Sequence, residues 1–340
     1  MSYTISVIMP VYNCKFYIED AVNSILNQTF QDFELIIIDD CSTDGTYEIL
    51  NKINSKKIQL IKKDLNTGYT NSLNLGISLA KGKYIARMDG DDISHIERFS
   101  KQIQAFSNDS DLVICGGAYQ SVCGNHIFKP SLKHEDILVD LTISCPFVHP
   151  SVMIRRETLV DNNLNYDREF EPAEDLDLWA KLCLLGKAIN LEDILIYYRI
   201  HSEQTSILRS KSQEEKSKII KENYMKNVIK EDFEYNIFVN PFLFSFDKIN
   251  QYKEIENRFI LALSNKGIEL NKNKLKERFR EYLFIRISKI AFNLENIYSE
   301  VKILVFLAPL LGIKFLIKYG IKFILNFNTK GFSRIFIYIF

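Results

Sequence analysis

The sequence predicts an α/β fold over residues 1–205, a mostly parallel sheet flanked by helices, followed by an α-helical C-terminal region. Three observations predict it. Short β-rich runs alternate with longer stretches of helical period through the first two hundred residues, the pattern of strand–helix–strand crossovers. The run Leu35-Ile36-Ile37-Ile38 is apolar without alternation, as a strand buried on both faces requires. After about Ser206 the chain turns to long helical segments rich in Lys, Glu, Asn, Phe and Ile.

Strands are expected over residues 5–9, 33–38, 58–62, 84–88 and 112–115. Between the first two, a helix over residues 16–28 puts Ile18, Ala21, Val22, Ile25 and Leu26 on one stripe, enough to cover a sheet. Further helices are expected over residues 46–53, near Ser94, over 174–185, and over 212–230 and 274–294 of the appendage. The organisation that follows is a domain over residues 1–205, a helical appendage over 206–300 and a basic tail over 301–340.

With 46% apolar residues the chain can bury a large core and is not disordered. Lys plus Arg and Asp plus Glu number 43 each, so no global basic field draws the protein to nucleic acid. The balance is uneven, because residues 301–340 hold Lys302, Lys314, Lys318, Lys322, Lys330 and Arg334 and no acid. The six cysteines (Cys14, Cys41, Cys115, Cys123, Cys145, Cys183) show no Cys-x-x-Cys pair, which argues against a disulfide framework or zinc site and fits a reducing cytosol. The first residues lack a basic n-region and a cleavage site, so export is not expected.

Ligands of open parallel sheets bind outside the carboxyl ends of the strands. There the sequence places Pro10-Val11-Tyr12-Asn13, Asp39-Asp40 and Asp89-Gly90-Asp91-Asp92. Carboxylates gathered on one rim repel each other unless a cation joins them, and Mg²⁺ or Mn²⁺ with phosphate oxygens is the usual solution. An Asp-x-Asp alone occurs about once by chance in a chain of this length, and Asp91 or Asp92 capping the helix near Ser94 stays open as the alternative. The first glycine is Gly45, which excludes a glycine-rich phosphate loop after the first strand.

These runs resemble the opening of family 2 glycosyltransferases. Ser6 to Asn13, Ser24 to Phe30, Phe33 to Asp40, Asn66-Thr67-Gly68, Gly82 to Asp92, His149 to Met153, Glu174 to Trp179 and Tyr198 to His201 follow in the family's order. The resemblance implies a GT-A type (Rossmann-like) fold, a nucleoside-diphosphate-sugar donor, Mn²⁺ or Mg²⁺, and inverting transfer to a hydroxyl. It implies that Pro10, Tyr12 and Asp40 frame the nucleotide base, that Asp89 lies near the ribose or sugar, and that Asp91 binds metal. It makes Asp175 the catalytic base, kept ionised at a helix N-terminus, and sets His201 near the metal or diphosphate. Arg199 is a further candidate for the diphosphate. His149, Glu174 and Trp179 are acceptor-side candidates. For Glu174 and Asp177, a helix cap and a solvent-facing position are the competing readings; for Trp179, a place in the core. Lys62, Lys63, Lys81 and Lys83 are expected on a solvated face, and His95, His126 and His134 on the surface.

In the tail, residues 303–313 are an uncharged run of eleven with Pro309, too short to span a bilayer. Lys314, Lys318 and Lys322 recur every four residues among Phe, Leu and Ile. That spacing predicts a basic amphipathic helix lying on a membrane surface, with packing on a partner subunit as the alternative. On the inner face of the cytoplasmic membrane, the acceptor implied is a saccharide, polyprenyl-linked, for a surface polysaccharide. Uridine is the base implied by the resemblance, with dTDP- and GDP-sugars left open because Asp40 constrains only part of the base. A homo-oligomer stays open, as do two rival functions: a sugar nucleotidyltransferase, which would want the missing glycine-rich loop, and a non-catalytic nucleotide-sugar-binding relative.

Overall fold

The computed structural model describes residues 3–201, 209–230, 246–266 and 268. The expected helix over residues 274–294 and the tail over 301–340 lie outside the described residues. The chain divides into two units, Met1–Asn227 and Val228–Phe340. In the second unit the helix α9 (Phe246–Asn265) is described.

The first unit opens as expected. β1 (Ile5–Val11), β2 (Phe33–Asp39), β3 (Ile58–Lys62) and β4 (Tyr84–Arg87) run parallel in the order β3-β2-β1-β4. β1 and β2 are buried at every position, which is why their sequences carry no alternation. Between them α1 (Ile18–Leu26) buries Ile18, Ala21, Val22 and Ile25 against the sheet. Two more helices, α2 (Thr46–Leu50) and α3 (Tyr69–Leu79), complete the crossovers. Just ahead of α2, Asp44 accepts the backbone N–H of Thr46 at 2.9 Å.

Beyond β4 the sheet becomes mixed. The helix expected near Ser94 is instead the two-residue strand β5 (Ile93–Ser94), and α4 (Arg98–Asn108) begins four residues later. β6 (Leu112–Ser121) carries the short β7 (Ile127–Phe128) on its far end. Then come α5 (His134–Asp140), a 3₁₀ turn at His149–Ser151, β8 (Met153–Arg155), α6 (Arg156–Asp161), α7 (Glu174–Leu182), β9 (Lys187–Tyr198) and α8 (Ser210–Ile229). β8 joins β4 to β6 by antiparallel pairing, β9 runs parallel to β6, and β5 closes the far edge. The core lies between the β1-centred sheet and the helices α1 and α4, and includes Phe33, Phe99 and Phe106.

Candidate active site

β1 sits between β2 and β4, so the three strand ends, two of them acid-bearing, lie side by side. The N–H of Asp40 donates to the Val11 carbonyl at 2.9 Å and ties two of them together. Asn13 and Cys41, just past β1 and β2, both take left-handed φ (54° and 65°), which turns the chain sharply off the rim. Pro10 is buried within β1, while Tyr12 stands 48% exposed beyond it. The Asp40 carboxylate is buried and accepts from the N–H groups of Thr67 (3.0 Å) and Gly68 (2.9 Å). It also pairs with the Lys63 ammonium at 2.5 Å. Lys63 is therefore no solvated lysine, whereas Lys62, Lys81 and Lys83 are exposed as expected.

Past β4, the carboxylates of Asp89, Asp91 and Asp92 offer oxygens that all lie within 4.8 Å of one another. Asp89 pairs with Arg87, and burial pushes its carboxyl up to about 6, with the Arg87 charge opposing and Asp91 adding to the rise. Asp91 Oδ2 meets His201 Nε2 at 3.0 Å. Asp92 accepts the Arg199 N–H at 2.9 Å through Oδ1, while its buried Oδ2 has no hydrogen-bond partner. Neither Asp91 nor Asp92 caps a helix. The Arg199 guanidinium donates to the Asp91 carbonyl (2.8 Å) and to Asp20 (2.6 Å) and lies over Tyr17. Tyr17 also stacks on His201 at 5.1 Å. Arg199 thus braces the acidic loop and sets His201 beside it.

The donor set fits a hard divalent cation. Three carboxylates converge, all ligand atoms are oxygens apart from an adjacent imidazole, and one buried carboxylate oxygen lacks a partner. Mg²⁺ and Mn²⁺ favour such ligands. Asp91 and Asp92 would hold the ion, with Asp89 or His201 completing the protein's share.

Asp175 is the second residue of α7 and sits in a separate cluster. Its Oδ1 accepts the Leu176 N–H at 2.7 Å, and the Cys145 thiol donates to Oδ2 at 3.7 Å. His149 Nδ1 approaches Oδ2 to 4.0 Å, and its Nε2 meets the Tyr166 hydroxyl at 3.0 Å. Burial raises the Asp175 carboxyl, against the Leu176 N–H and the Arg87 charge. The helix end does not lower it as the sequence suggested, because desolvation outweighs the helix-terminal N–H. His149 is held neutral, its imidazole pushed well down by burial and by Arg87.

Two acceptor-side candidates are relocated. Trp179 is fully buried, with Phe147, His149 and Tyr166 edge-on at centroid separations of 5.9, 5.6 and 6.0 Å. It is a core residue and offers no face to a sugar. Glu174 is 5% exposed, forms no cap, and is pushed up to about 8 by burial and then by Asp175. Asp177 is also buried, paired with Lys181 at 2.6 Å, not solvent-facing. His95, His126 and His134 are half-buried, and His134 Nδ1 accepts the Ala188 N–H at 3.2 Å.

Sequence reasoning passed over Asp92 as a ligand, Lys63, Cys145, Tyr166 and above all Arg87. Arg87 is 5% exposed, pairs with Asp89 and with the Tyr69 hydroxyl, and acts electrostatically on Asp175, Glu174 and His149. An arginine inside the otherwise apolar run 84–88 was the available signal, since a buried charge demands a partner.

The Glycosyl transferase family 2 profile matches residues 6–164. An uncharacterized glycosyltransferase of Haemophilus influenzae is 33% identical over 232 residues, which cover 64% of this chain and 72% of that protein. The UDP-Glc:alpha-D-GlcNAc-diphosphoundecaprenol beta-1,3-glucosyltransferase WfaP of Escherichia coli is 31% identical over 222 residues, 64% of this chain and 85% of its own. Among solved structures, S. aureus TarS 1-349 in complex with UDP-GlcNAc superposes with a TM-score of 0.56 at 22% identity, over 83% of this chain and 82% of that one. Sheet, acidic rim and these likenesses together define a glycosyltransferase of GT-A type fold. The chain belongs to glycosyltransferase family 2.

Proposed function

We propose that the protein is an inverting, metal-dependent hexosyltransferase that moves a sugar from a UDP-sugar to a hydroxyl of a polyprenyl-linked saccharide, in the assembly of a surface polysaccharide. One observation carries this reading. The rim holds an acid trio with an open buried oxygen on Asp92, and a second pair of carboxylates stands at the start of α7, Asp175 beside Glu174, where burial raises the Asp175 carboxyl. Two acidic centres with different surroundings suit two roles.

In this reading Asp40 accepts from the base edge, Tyr12 and Pro10 frame the base, and Asp89 lies against the ribose or sugar. Asp175 removes the proton from the acceptor hydroxyl. The freed oxygen forms its bond to the anomeric carbon as the bond to the diphosphate breaks, and the electron pair leaves with the diphosphate. A base with its pKa raised toward the working pH is the better proton acceptor. When bound at Asp91 and Asp92, Mn²⁺ or Mg²⁺ supplies positive charge for the leaving diphosphate. His149 and Cys145 keep Asp175 in place, and attack from the face opposite the leaving group gives inversion. The donor class is supported by the Escherichia coli relative, a UDP-Glc-dependent glucosyltransferase, and by the UDP-GlcNAc-bound neighbour, and the metal by a Pyrobaculum calidifontis mannosyltransferase bound to GDP-Man and Mn²⁺.

The test is a panel of nucleotide sugars offered to the purified full-length chain, with nucleoside diphosphate release measured with and without EDTA. Release from a UDP-sugar that EDTA abolishes supports the reading. No release from any donor, or release that EDTA leaves unchanged, refutes it. We propose further that the tail over residues 301–340 lies on the cytoplasmic leaflet, on the strength of its lysine spacing. Co-sedimentation with anionic but not neutral liposomes is the expected result. Among the described residues no helix is long and apolar enough to cross a membrane.

A further inference from the structure

Lys63 is joined to the rim by the backbone before its side chain does anything. β2 and β3 run parallel with Asp39 opposite Lys62, and the Lys63 N–H donates to the Asp39 carbonyl at 2.9 Å. Asp40 and Lys63 are therefore the next residues beyond two paired strand ends. The Lys63 ammonium then uses its three N–H bonds on Asp40 Oδ1 (2.5 Å), the Thr67 hydroxyl and the Ser72 hydroxyl (3.1 Å). With all three donors taken, it has none to offer a ligand.

Asp40 shows the complementary count. A carboxylate has about four lone-pair positions. Thr67 N–H and Lys63 fill two on Oδ1, and Gly68 N–H fills one on Oδ2. Gly68 can present that N–H because it sits at φ 95°, a conformation other residues reach only with strain. One position on Oδ2 remains, on a group 4% exposed. Because every neighbour donates, the carboxylate is held in one orientation, with that lone pair as its remaining acceptor position.

We propose that Lys63 is a positioning residue for base selection: by fixing Asp40 as an acceptor with a single open lone-pair position, it makes the site choose a pyrimidine with a ring N–H, as in uracil or thymine, over cytosine. The inference rests on the reading of Asp40 as the base contact. Uracil presents a ring N–H to such an oxygen. Cytosine presents a bare ring nitrogen there, setting lone pair against lone pair, and its donor is the exocyclic amino group on the adjacent ring carbon. A hydrogen bond to a charged acceptor gained or lost on this edge is a difference of roughly 10- to 100-fold in binding.

The test is equilibrium binding of UDP and CDP to the full-length protein with Mn²⁺ present. The unaltered protein should bind UDP at least about 10-fold more tightly than CDP; equal binding overturns the proposal whatever the variants do. Lys63→Met should collapse the UDP-to-CDP ratio toward one, and Lys63→Arg should keep most of it. If Lys63→Met weakens both nucleotides equally, or lowers only the thermal midpoint, Lys63 is merely structural and the proposal falls. Asp40→Asn separates the two layers, since its amide can donate to cytosine and should shift preference toward CDP. If Asp40→Asn leaves the ratio unchanged, the base-contact reading itself fails. If it shifts the ratio and Lys63→Met does not, only the role of Lys63 fails.

Discussion

Replacing Glu174 with Gln should change how stability depends on pH. Glu174 is 5% exposed, its Oε2 has no hydrogen-bond partner, and burial with the Asp175 charge pushes it from an ordinary 4.5 up to about 8. A folded-state value above the unfolded one means folding favours the protonated form. That contribution is complete below pH 4.5 and is lost as the pH rises through about 8. Each pH unit inside the window is worth about 1.4 kcal/mol, so by pH 7 the site has lost at most about 3.5 kcal/mol. Gln has nearly the same shape and does not ionise. Urea unfolding of the full-length protein at pH 5, 7 and 8.5 should show Glu174→Gln close to the parent at pH 5 and increasingly more stable above it. Curves that stay parallel across the three pH values would refute the claim that this carboxyl is buried uncompensated.

Asp175→Asn should retain donor binding and lose transfer by on the order of 10²-fold or more, the scale of a positioned base. In the parent, kcat should fall on the acid side as the raised Asp175 carboxyl takes up its proton; an unchanged kcat in the variant would move the base elsewhere. Asp92→Asn should weaken Mn²⁺ binding by about 10-fold or more, read by titration calorimetry, and unaltered affinity would remove Asp92 from the ion's surroundings. Trp179→Ala should cost about 3–5 kcal/mol in denaturant unfolding, whereas a variant that unfolds like the parent and loses only acceptor affinity would return Trp179 to the sugar site.

The parallel half of the sheet was legible because continuous apolar runs have few other uses. β1 and β2 are buried at every position, and the runs name them. β5, β7 and β8 span two or three residues each, too few for a period of two to register. That is why a helix was expected where β5 stands. Asp89 and Asp91 could be read as site residues because they follow a buried strand. Lys63 could not, for it stands in a run of lysines and only the strand's alternation separates it from its neighbour. Lys62 lies over the Tyr47 ring at 4.1 Å while Lys63 turns to Asp40. Glu174 and Asp177 were misjudged for one reason: α7 is buried almost all round, which a polar sequence pattern conceals; Trp179 takes the place in the core that the sequence also offered.

The position of β9 between β6 and β5 bears on how the protein is made. The loop at Asp91 and Asp92 is clasped by Arg199 and His201, partners more than a hundred residues downstream. A nascent chain that has emerged only as far as residue 164 exposes β6 as a raw, unpaired border, and such borders recruit other chains. Contacts that remote in sequence also form late. Synthesis of this protein should therefore pass through a window of vulnerability to misassembly that closes only once β9 slides into its slot.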